Sequence, residues 1–432
     1  MMQSVLFKRG WALLFPGGMV LTVVAILFSL LRPWTAPRET LLPYVSCTAF
    51  TVGLLLSAMF RRSRIFFALL CFMFAELGLC LFAARLQSPA GAQFVLDAVA
   101  ILLPINIVVL AAGADRGIVT AWGRWEMLLI GLQAVAVGLV CLSAPVQAAA
   151  LLGYRWSARG FADWSRISQL PLLIFTVGLV ILLARLWRRR TPVESGMFWA
   201  LAASLVGIEV SSGNSAAMAG IATSAAILAI AVLENSYSMA FLDELTGLPG
   251  RRSFNEALLK LGESYTIAMV DVDHFKLFND TFGHAAGDQV LQMVAGKLAG
   301  VGGGGSAFRY GGEEFAVLFP EVPTEGASAA LEELRQRIEQ VQFRVRGKER
   351  RKRLVKDGRM KPRAAERRRP STLRLRKERA TSAATHVTVS IGVAASSGNE
   401  GNQTPEAVLH DADKALYRAK QQGRNRVICS TN

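Results

Sequence analysis

Residues 309–315 read Arg-Tyr-Gly-Gly-Glu-Glu-Phe, and this heptapeptide says more about the fold than any other stretch of the chain. Apolar residues flank it on both sides, which predicts a β-hairpin with Gly311 and Gly312 at its tip. Glu313 and Glu314 follow at once, so two carboxylates stand beside a gap where a phosphate can approach. The stretch indicates either a divalent cation carrying a nucleotide or an ordinary hairpin with a solvated acidic turn.

A second acidic stretch favours the cation. Residues 265–273 read Tyr-Thr-Ile-Ala-Met-Val-Asp-Val-Asp, which predicts a buried strand that ends in carboxylates. Asp271 and Asp273 are two positions apart, so they share a face if the strand persists. Oxygen ligands of this kind suit a divalent cation. The sequence Gly283-His-Ala-Ala-Gly-Asp288 then leads into an amphipathic helix that ends near Leu298.

The positive charge of the chain is concentrated in one segment. The 432 residues carry a formal net charge of +16. Residues 344–380 hold 18 Lys or Arg and four Asp or Glu, a net of +14, and they lack apolar periodicity. We expect a disordered basic loop, either a solvated extension or one drawn to anionic lipid headgroups. Nucleic acid is an unlikely partner, because no aromatic residue lies in this segment to stack on bases.

The first half of the chain predicts a multi-span α-helical membrane domain. Eight apolar segments are long enough to cross a bilayer, at about 11–31, 41–60, 65–84, 92–112, 125–143, 168–187, 196–212 and 215–233. Seven spans would result if the last two segments were one. Basic residues cluster at alternate loops, and eight spans place both termini on the cytoplasmic side by the positive-inside rule. Five cysteines and four histidines show no spacing typical of a disulfide framework or a zinc site.

Three carboxylates, Glu76, Asp97 and Glu209, fall within these apolar segments. A charge there is costly and often functional, so each residue either takes part in sensing, lies at a helix end or is paired inside the helix bundle. Residues 234–242 continue the last segment as a helical connector, which leads to a soluble α/β domain at 243–432. The predicted organisation is therefore a transmembrane sensor region at 1–233, the connector, and this domain with its basic insertion.

The soluble half resembles the GGDEF domain of diguanylate cyclases. The resemblance covers about residues 240–428 and rests on five blocks in the family's order. These blocks are Asp243–Arg252, Asp271–Asp280, Gly283–Asp288, Arg309–Phe315 and Asp411–Asn425. The resemblance implies a nucleotidyl-cyclase or ferredoxin-like fold, with a mostly antiparallel central sheet surrounded by helices. The family's Arg-x-x-Asp product-binding motif is replaced here by four glycines at 302–305, so we expect no feedback inhibition through that motif.

The resemblance also implies a role for each site residue. Mg²⁺ or Mn²⁺ would be held by Asp271, the Val272 carbonyl, Glu313 and Glu314, and Glu313 would also take the proton of the attacking hydroxyl. The remaining substrate-binding residues fall into three sets, which contact the guanine edge (Asn279, Asp288), the phosphates (Lys276, Lys420, Arg424) and the rest of the nucleotide (Phe275, Gly311, Gly312). Because Lys420 and Arg424 are four positions apart, we expect them to share one face of the last helix.

The implied activity is the synthesis of cyclic di-GMP from two GTP with release of two pyrophosphates. The sequence therefore predicts a diguanylate cyclase in a bacterial cell membrane, with a cytoplasmic catalytic domain that works as a homodimer and is regulated by the membrane region. The alternative is a catalytically inactive receptor for GTP or a cyclic dinucleotide. All six residues that discriminate the two are present, which favours the enzyme (Asp271, Lys276, Asn279, Asp288, Glu313, Glu314).

Overall fold

A computed structural model describes residues 17–24, 35–83, 89–153, 165–210, 214–344, 384–396 and 404–430. The chain divides into two compact units, Met1–Tyr237 and Ser238–Asn432. The basic segment predicted at 344–380 lies outside the described residues except for Arg344, so its proposed disorder and lipid contact stay predictions.

The N-terminal unit is helical throughout its described part. Its helices are α1 (17–24), α2 (Thr35–Met59), α3 (Ser63–Gly78), α4 (Pro89–Ala112), α5 (Ala121–Ser143), α6 (Pro145–Leu152), α7 (Gln169–Arg189), α8 (Pro192–Val210) and α9 (Asn214–Phe241). Helix α3 continues as a π-helical turn at Leu79–Ala83. Seven of these helices are long and apolar enough to cross a membrane: all except α1 and α6.

These seven helices coincide with seven of the eight segments predicted from the sequence. Most of the first predicted segment, 11–31, lies outside the described residues, although 17–24 is helical. The last two segments form two helices, α8 and α9, each long and apolar enough to cross a membrane, and the number of spans stays a prediction. Helix α9 contains the last apolar segment and continues through the predicted connector as far as Phe241, so both belong to one helix of 28 residues.

Each of the three carboxylates within the apolar segments has hydrogen-bond donors in the bundle. Glu76 accepts a bond from the Ser46 hydroxyl at 2.6 Å. Asp97 accepts from the Ser168 hydroxyl at 2.6 Å, and Glu209 accepts from the Ser165 hydroxyl at 2.6 Å. The three carboxylates are therefore paired inside the bundle, which was one of the predicted alternatives. The hydrogen bonds offset part of the cost of placing a carboxylate among apolar helices.

The C-terminal unit is built on a five-stranded sheet with the order β2-β3-β1-β6-β7. Its strands are β1 (Tyr265–Val272), β2 (Ser306–Gly311), β3 (Glu314–Pro320), β6 (Val389–Ser396) and β7 (Val427–Cys429), and a separate pair is formed by β4 (Gln342–Arg344) and β5 (Ala384–His386). Only β6 and β7 run parallel; the other pairs in the five-stranded sheet are antiparallel. The prediction of a mostly antiparallel central sheet is confirmed.

Helices cover both faces of this sheet. They are α10 (Arg251–Leu258), α11 (Phe275–Phe282), α12 (His284–Leu298), α13 (Thr324–Glu339) and α14 (Pro405–Gln421). Every residue of β1 is buried, because alternate side chains enter two separate cores. Val270 belongs to the core that contains α12 and α13, whereas Ile267 belongs to the core that contains α10 and α14. The end of β1 is thereby held rigidly in the middle of the domain.

Gly392 in β6 sets the distance between the sheet and α14. A Cβ atom at this position would lie 2.0 Å from the Leu416 nitrogen and 2.2 Å from the Ala412 oxygen. Both atoms belong to the α14 backbone and cannot rotate away. The closest approach of this helix to the sheet therefore requires a residue without a side chain.

We expect Gly392→Ala to destabilise the C-terminal unit by roughly 3 kcal/mol, because α14 must move off the sheet. Calorimetry of the full-length protein in detergent would measure the change as a lower unfolding midpoint of this unit. Gly262→Ala is the control, since a Cβ atom there meets nothing within 4 Å. Equal midpoints for the two variants would contradict the prediction.

Candidate active site

The predicted hairpin is present, and its tip is open. Gly311 pairs with Glu314, so Gly312 and Glu313 form the two-residue loop between β2 and β3. Neither glycine has a positive φ, and a Cβ atom on Gly312 would meet nothing within 4 Å. The turn itself therefore does not need the conformational freedom of glycine. What the two glycines leave at this edge of the sheet is open space next to two carboxylates.

The sheet register brings together three carboxylates that are far apart in sequence. Asp271 at the end of β1 lies directly opposite Glu314 at the start of β3. Directly opposed residues on antiparallel strands have Cβ atoms about 4.5–5.5 Å apart. The Val272 N–H donates to the Glu313 carbonyl at 3.4 Å, which places the hairpin tip over the end of β1.

Lys420 partly balances this negative charge. Its Nζ lies 2.9 Å from Asp271 Oδ2, and the Asp271 side chain is buried. Burial raises the pKa of Asp271, Lys420 counteracts this, and the nearby Glu314 and Asp273 raise it further. Burial and the Asp271 charge likewise raise the pKa of Glu313. One lysine is thus too little to offset the repulsion among these carboxylates.

The donor set fits a hard divalent cation. Asp271, Glu313 and Glu314 supply only oxygen ligands. The pKa values of Asp271 and Glu313 are raised, first by burial and then by the neighbouring carboxylates, and a bound cation would relieve the second of these causes. Among the described residues, no three His, Cys, Asp or Glu side chains already converge as metal ligands. Lys420 occupies one Asp271 oxygen, so binding a cation there requires this ion pair to rearrange.

A second group of predicted residues meets at the corner between α11 and α12. Gly283 makes this corner with a φ of 88°. Asn279 Oδ1 is buried there and has no hydrogen-bond partner among the described residues, which is costly for an amide oxygen. A Cβ atom on Gly287 would collide with that oxygen. Gly287 therefore leaves room for the Asn279 amide, beside Asp288, and the amide retains an unused acceptor for a ligand donor.

The structure places the remaining predicted residues around these two groups. Phe275, the first residue of α11, is buried, whereas the Lys276 and Asp288 side chains are exposed. Helix α14 ends at Gln421, and Arg424 follows it in a left-handed conformation with a φ of 62°. The prediction that Lys420 and Arg424 share one helix face is therefore wrong, because Gly423 and Arg424 leave the helix after its last turn.

Sequence reasoning missed the contribution of Arg309 and Asp243. The Arg309 guanidinium donates to Asp243 Oδ1 at 2.7 Å and to the Gly312 carbonyl at 2.7 Å. Asp243 also accepts from the Thr246 N–H and hydroxyl. Burial opposes these contacts, but the hydrogen bonds from Thr246 and Arg309 prevail and lower the pKa of Asp243. The blocks Asp243–Arg252 and Arg309–Phe315 begin with opposite charges, and this signal could have indicated the ion pair. The ion pair and the bond to Gly312 hold the hairpin tip in place.

The C-terminal unit matches a known protein family. Residues 240–356 and 358–426 match the family model described as "Diguanylate cyclase, GGDEF domain". Similar curated proteins include the diguanylate cyclase DgcP of Pseudomonas aeruginosa, 35% identical over 203 residues, which are 45% of this chain and 25% of DgcP. The response regulator PleD of Caulobacter vibrioides is 35% identical over 205 residues, 45% of this chain and 37% of PleD.

Solved structures with similar sequences were also found. The GGDEF domain of DgcB from Caulobacter crescentus, solved in complex with c-di-GMP, is 30% identical and covers 44% of this chain and 96% of that chain, with a TM-score of 0.34. The family match is confined to residues 240–356 and 358–426 of the C-terminal unit. The chain spans only 25% and 37% of the length of these two curated relatives.

The crowding of carboxylates predicts a trade-off between stability and activity at Glu313. Glu313→Gln removes one charge from the cluster, so we expect the metal-free protein to unfold about 1–2 °C higher at pH 7.5. The gain should shrink as the pH falls toward the ordinary pKa of a carboxyl group. The pKa of Glu313 is raised in the folded state, so its carboxylate destabilises the wild-type protein when it is charged, at high pH. At a pH near the ordinary carboxyl pKa, Glu313 is protonated in the folded protein and this destabilisation is lost.

Calorimetry in the presence of a chelator, at several pH values, measures this effect. Glu333→Gln is the matched control, because the Glu333 side chain is 72% exposed on α13 and far from the cluster in the fold. A Glu313→Gln protein that is less stable than wild type at pH 7.5 would show that the cluster is not electrostatically crowded.

The contact between Gly287 and Asn279 generates a prediction for nucleotide binding. Gly287→Ala should weaken GTP binding roughly 10-fold, because the new methyl group displaces the Asn279 amide. The helix should tolerate alanine, which has a higher helix propensity than glycine. Gly296→Ala on the same helix is the control, since its Cβ atom meets nothing within 4 Å. Equal GTP affinities in titration calorimetry would contradict a role of this corner in binding the base.

Proposed function

We propose that the protein is a membrane-bound diguanylate cyclase that makes cyclic di-GMP from two molecules of GTP. The observation that carries this proposal is the placement of Asp271, Glu313 and Glu314 at one edge of the sheet, next to Lys420. The unpartnered oxygen of Asn279 adds a second, separate feature that suits a ligand. The GGDEF family match and the diguanylate cyclases among the similar proteins support the same activity.

The reaction is a phosphoryl transfer that needs positioning and charge balance. The 3′ oxygen of one GTP attacks the α-phosphorus of the other, a P–O bond forms there, and the bond to the β-phosphate oxygen breaks to release pyrophosphate. The same step in the opposite direction closes the ring. Glu313 accepts the proton of the attacking hydroxyl, a role that its raised pKa favours.

The other residues bind and orient the substrate. Mg²⁺ or Mn²⁺, held by Asp271, the Val272 carbonyl, Glu313 and Glu314, would supply positive charge at the triphosphate. Asn279 and Asp288 hydrogen-bond the guanine edge, because a carboxylate can accept from both N–H groups of guanine and adenine has no matching pair. Lys276, Lys420 and Arg424 bind phosphate oxygens. Phe275 anchors the start of α11 in the core, while Gly311 and Gly312 leave room for the phosphates.

One chain supplies one such site, so two domains must face each other to join two nucleotides. We propose a homodimer on this ground. The seven apolar helices, together with the basic residues at alternate loops, support a multi-pass location in a bacterial cell membrane with the GGDEF domain in the cytoplasm. Regulation by the helical unit would then act through α9, which runs unbroken from the last apolar segment into Phe241.

The alternative function is an inactive receptor for GTP or a cyclic dinucleotide. It is not favoured, because the chain has the three carboxylates Asp271, Glu313 and Glu314 and also has Asn279 and Asp288 at the corner between α11 and α12. Product inhibition through the family motif is not expected either. Gly303 and Gly304 have positive φ, and a Cβ atom on Gly305 would lie 2.6 Å from the Phe319 ring. A side chain at the last position of that motif would therefore strain the turn before β2.

Incubating the full-length protein in detergent with GTP and Mg²⁺ tests the proposal, with mass spectrometry of the products. We expect cyclic di-GMP and pyrophosphate, and a rate at least about 100-fold lower for Glu313→Gln. Glu333→Gln is the control and should match wild type. Added cyclic di-GMP should not slow the reaction through residues 302–305. GTP binding without any product, under conditions that favour dimers, would instead support the receptor.

A further inference from the structure

Asp273 has a different environment from Asp271, although the two residues are only two positions apart. Its carboxylate is buried and accepts hydrogen bonds from the Thr388 hydroxyl at 2.8 Å, the Ser390 hydroxyl at 2.6 Å and the Asn425 N–H at 3.1 Å. Three donors occupy the carboxylate, so it has little capacity left for a metal ion. What Asp273 does instead is join the ends of β1 and β6 to the segment that follows α14.

That segment adopts a strained backbone. Gly423, Arg424 and Asn425 have φ values of 111°, 62° and 47°. The left-handed region costs a residue other than glycine about 1 kcal/mol or more, and such a turn persists only when its surroundings hold it. The Arg424 N–H donates to the Ala419 carbonyl at 3.0 Å, which closes the turn onto the end of α14.

The side chain of Asn425 supplies most of the remaining support. Its Oδ1 accepts from the Arg335 guanidinium at 2.6 Å, and its Nδ2 donates to Glu339 at 2.8 Å. Arg335 is itself buried and held by Glu332 on α13. The chain of contacts thus runs from α13 through Asn425 to Asp273 at the centre of the sheet.

We infer that Asp273, Asn425 and Arg335 form a positioning network that holds Arg424 for the phosphates of the nucleotide. The inference rests on the proposed function, which places Arg424 at the triphosphate. Among the described residues, the Arg424 guanidinium has no carboxylate partner, so it is available to an anionic ligand. The network fixes the backbone on both sides of Arg424, and it therefore limits the directions that this long side chain can take.

Asn425→Gly tests the network with little backbone strain, because glycine accepts a positive φ while the contacts to Arg335 and Glu339 are lost. The measurement is binding to the full-length protein in detergent with Mg²⁺. The ligands are guanosine and GTP, the latter supplied as the analogue with a methylene group between the α- and β-phosphorus, which cannot release pyrophosphate. We expect roughly 10-fold weaker binding of GTP and unchanged binding of guanosine, since only the phosphates depend on Arg424. Glu333→Gln on α13 is the control and should bind both as wild type does.

A double-mutant cycle with Arg424→Ala separates positioning from general damage. If the network acts through Arg424, then Asn425→Gly should cost almost nothing further in the Arg424→Ala background. An equal loss in both backgrounds, or an equal loss of guanosine binding, would overturn the inference. Arg335→Lys is the second variant should Asn425→Gly fail to fold, because it keeps the charge but lacks the planar fork. Binding is read without turnover, so a protein that makes no cyclic di-GMP would refute the proposed function and leave this test intact.

Discussion

The structure depends on the antiparallel pairing of β1 with β3, which sets Asp271 opposite Glu314. This pairing brings carboxylates together at a partly buried edge, where each charge raises the energy of the others. The rest of the domain compensates for that cost. Lys420 reaches Asp271 from α14, and Arg309 holds the hairpin tip by its Gly312 carbonyl. The domain thus preserves an unfavourable cluster of charges, which a bound cation would help to neutralise.

Rigidity at the centre of the domain makes such a cluster tolerable. Strand β1 is buried along its whole length between two cores, so its end cannot move away from the repulsion. Gly392 lets α14 approach the sheet closely, and this approach delivers Lys420 to Asp271. Packing between α14 and the sheet therefore contributes to the electrostatics of the site, because it sets which charges can meet and at what distance.

Both units of the chain contain carboxylates in apolar surroundings, and most of these carboxylates accept several hydrogen bonds. In the helical unit, carboxylates such as Asp97 and Glu209 are satisfied by serine hydroxyls and backbone N–H groups. In the GGDEF domain, Asp273 is satisfied in the same way, whereas Asp271 beside it is not fully neutralised. The contrast distinguishes a carboxylate whose hydrogen bonds are fully supplied by its surroundings from one with a raised pKa and a single lysine partner, which fits the ligand-binding role proposed for Asp271.

The sequence alone was sufficient to determine the hairpin, the buried strand, the apolar segments and the resemblance to GGDEF domains, since each depends on local periodicity or on short motifs. Only the tertiary structure decided which residues meet. Asp271 and Asp273 look equivalent in sequence, yet sheet register and the turn after α14 give them different partners. Lys420 and Arg424 have helical spacing, but positive φ values end the helix between them. Long-range pairing and backbone turns select such contacts, and neither can be derived from the spacing of residues along the chain.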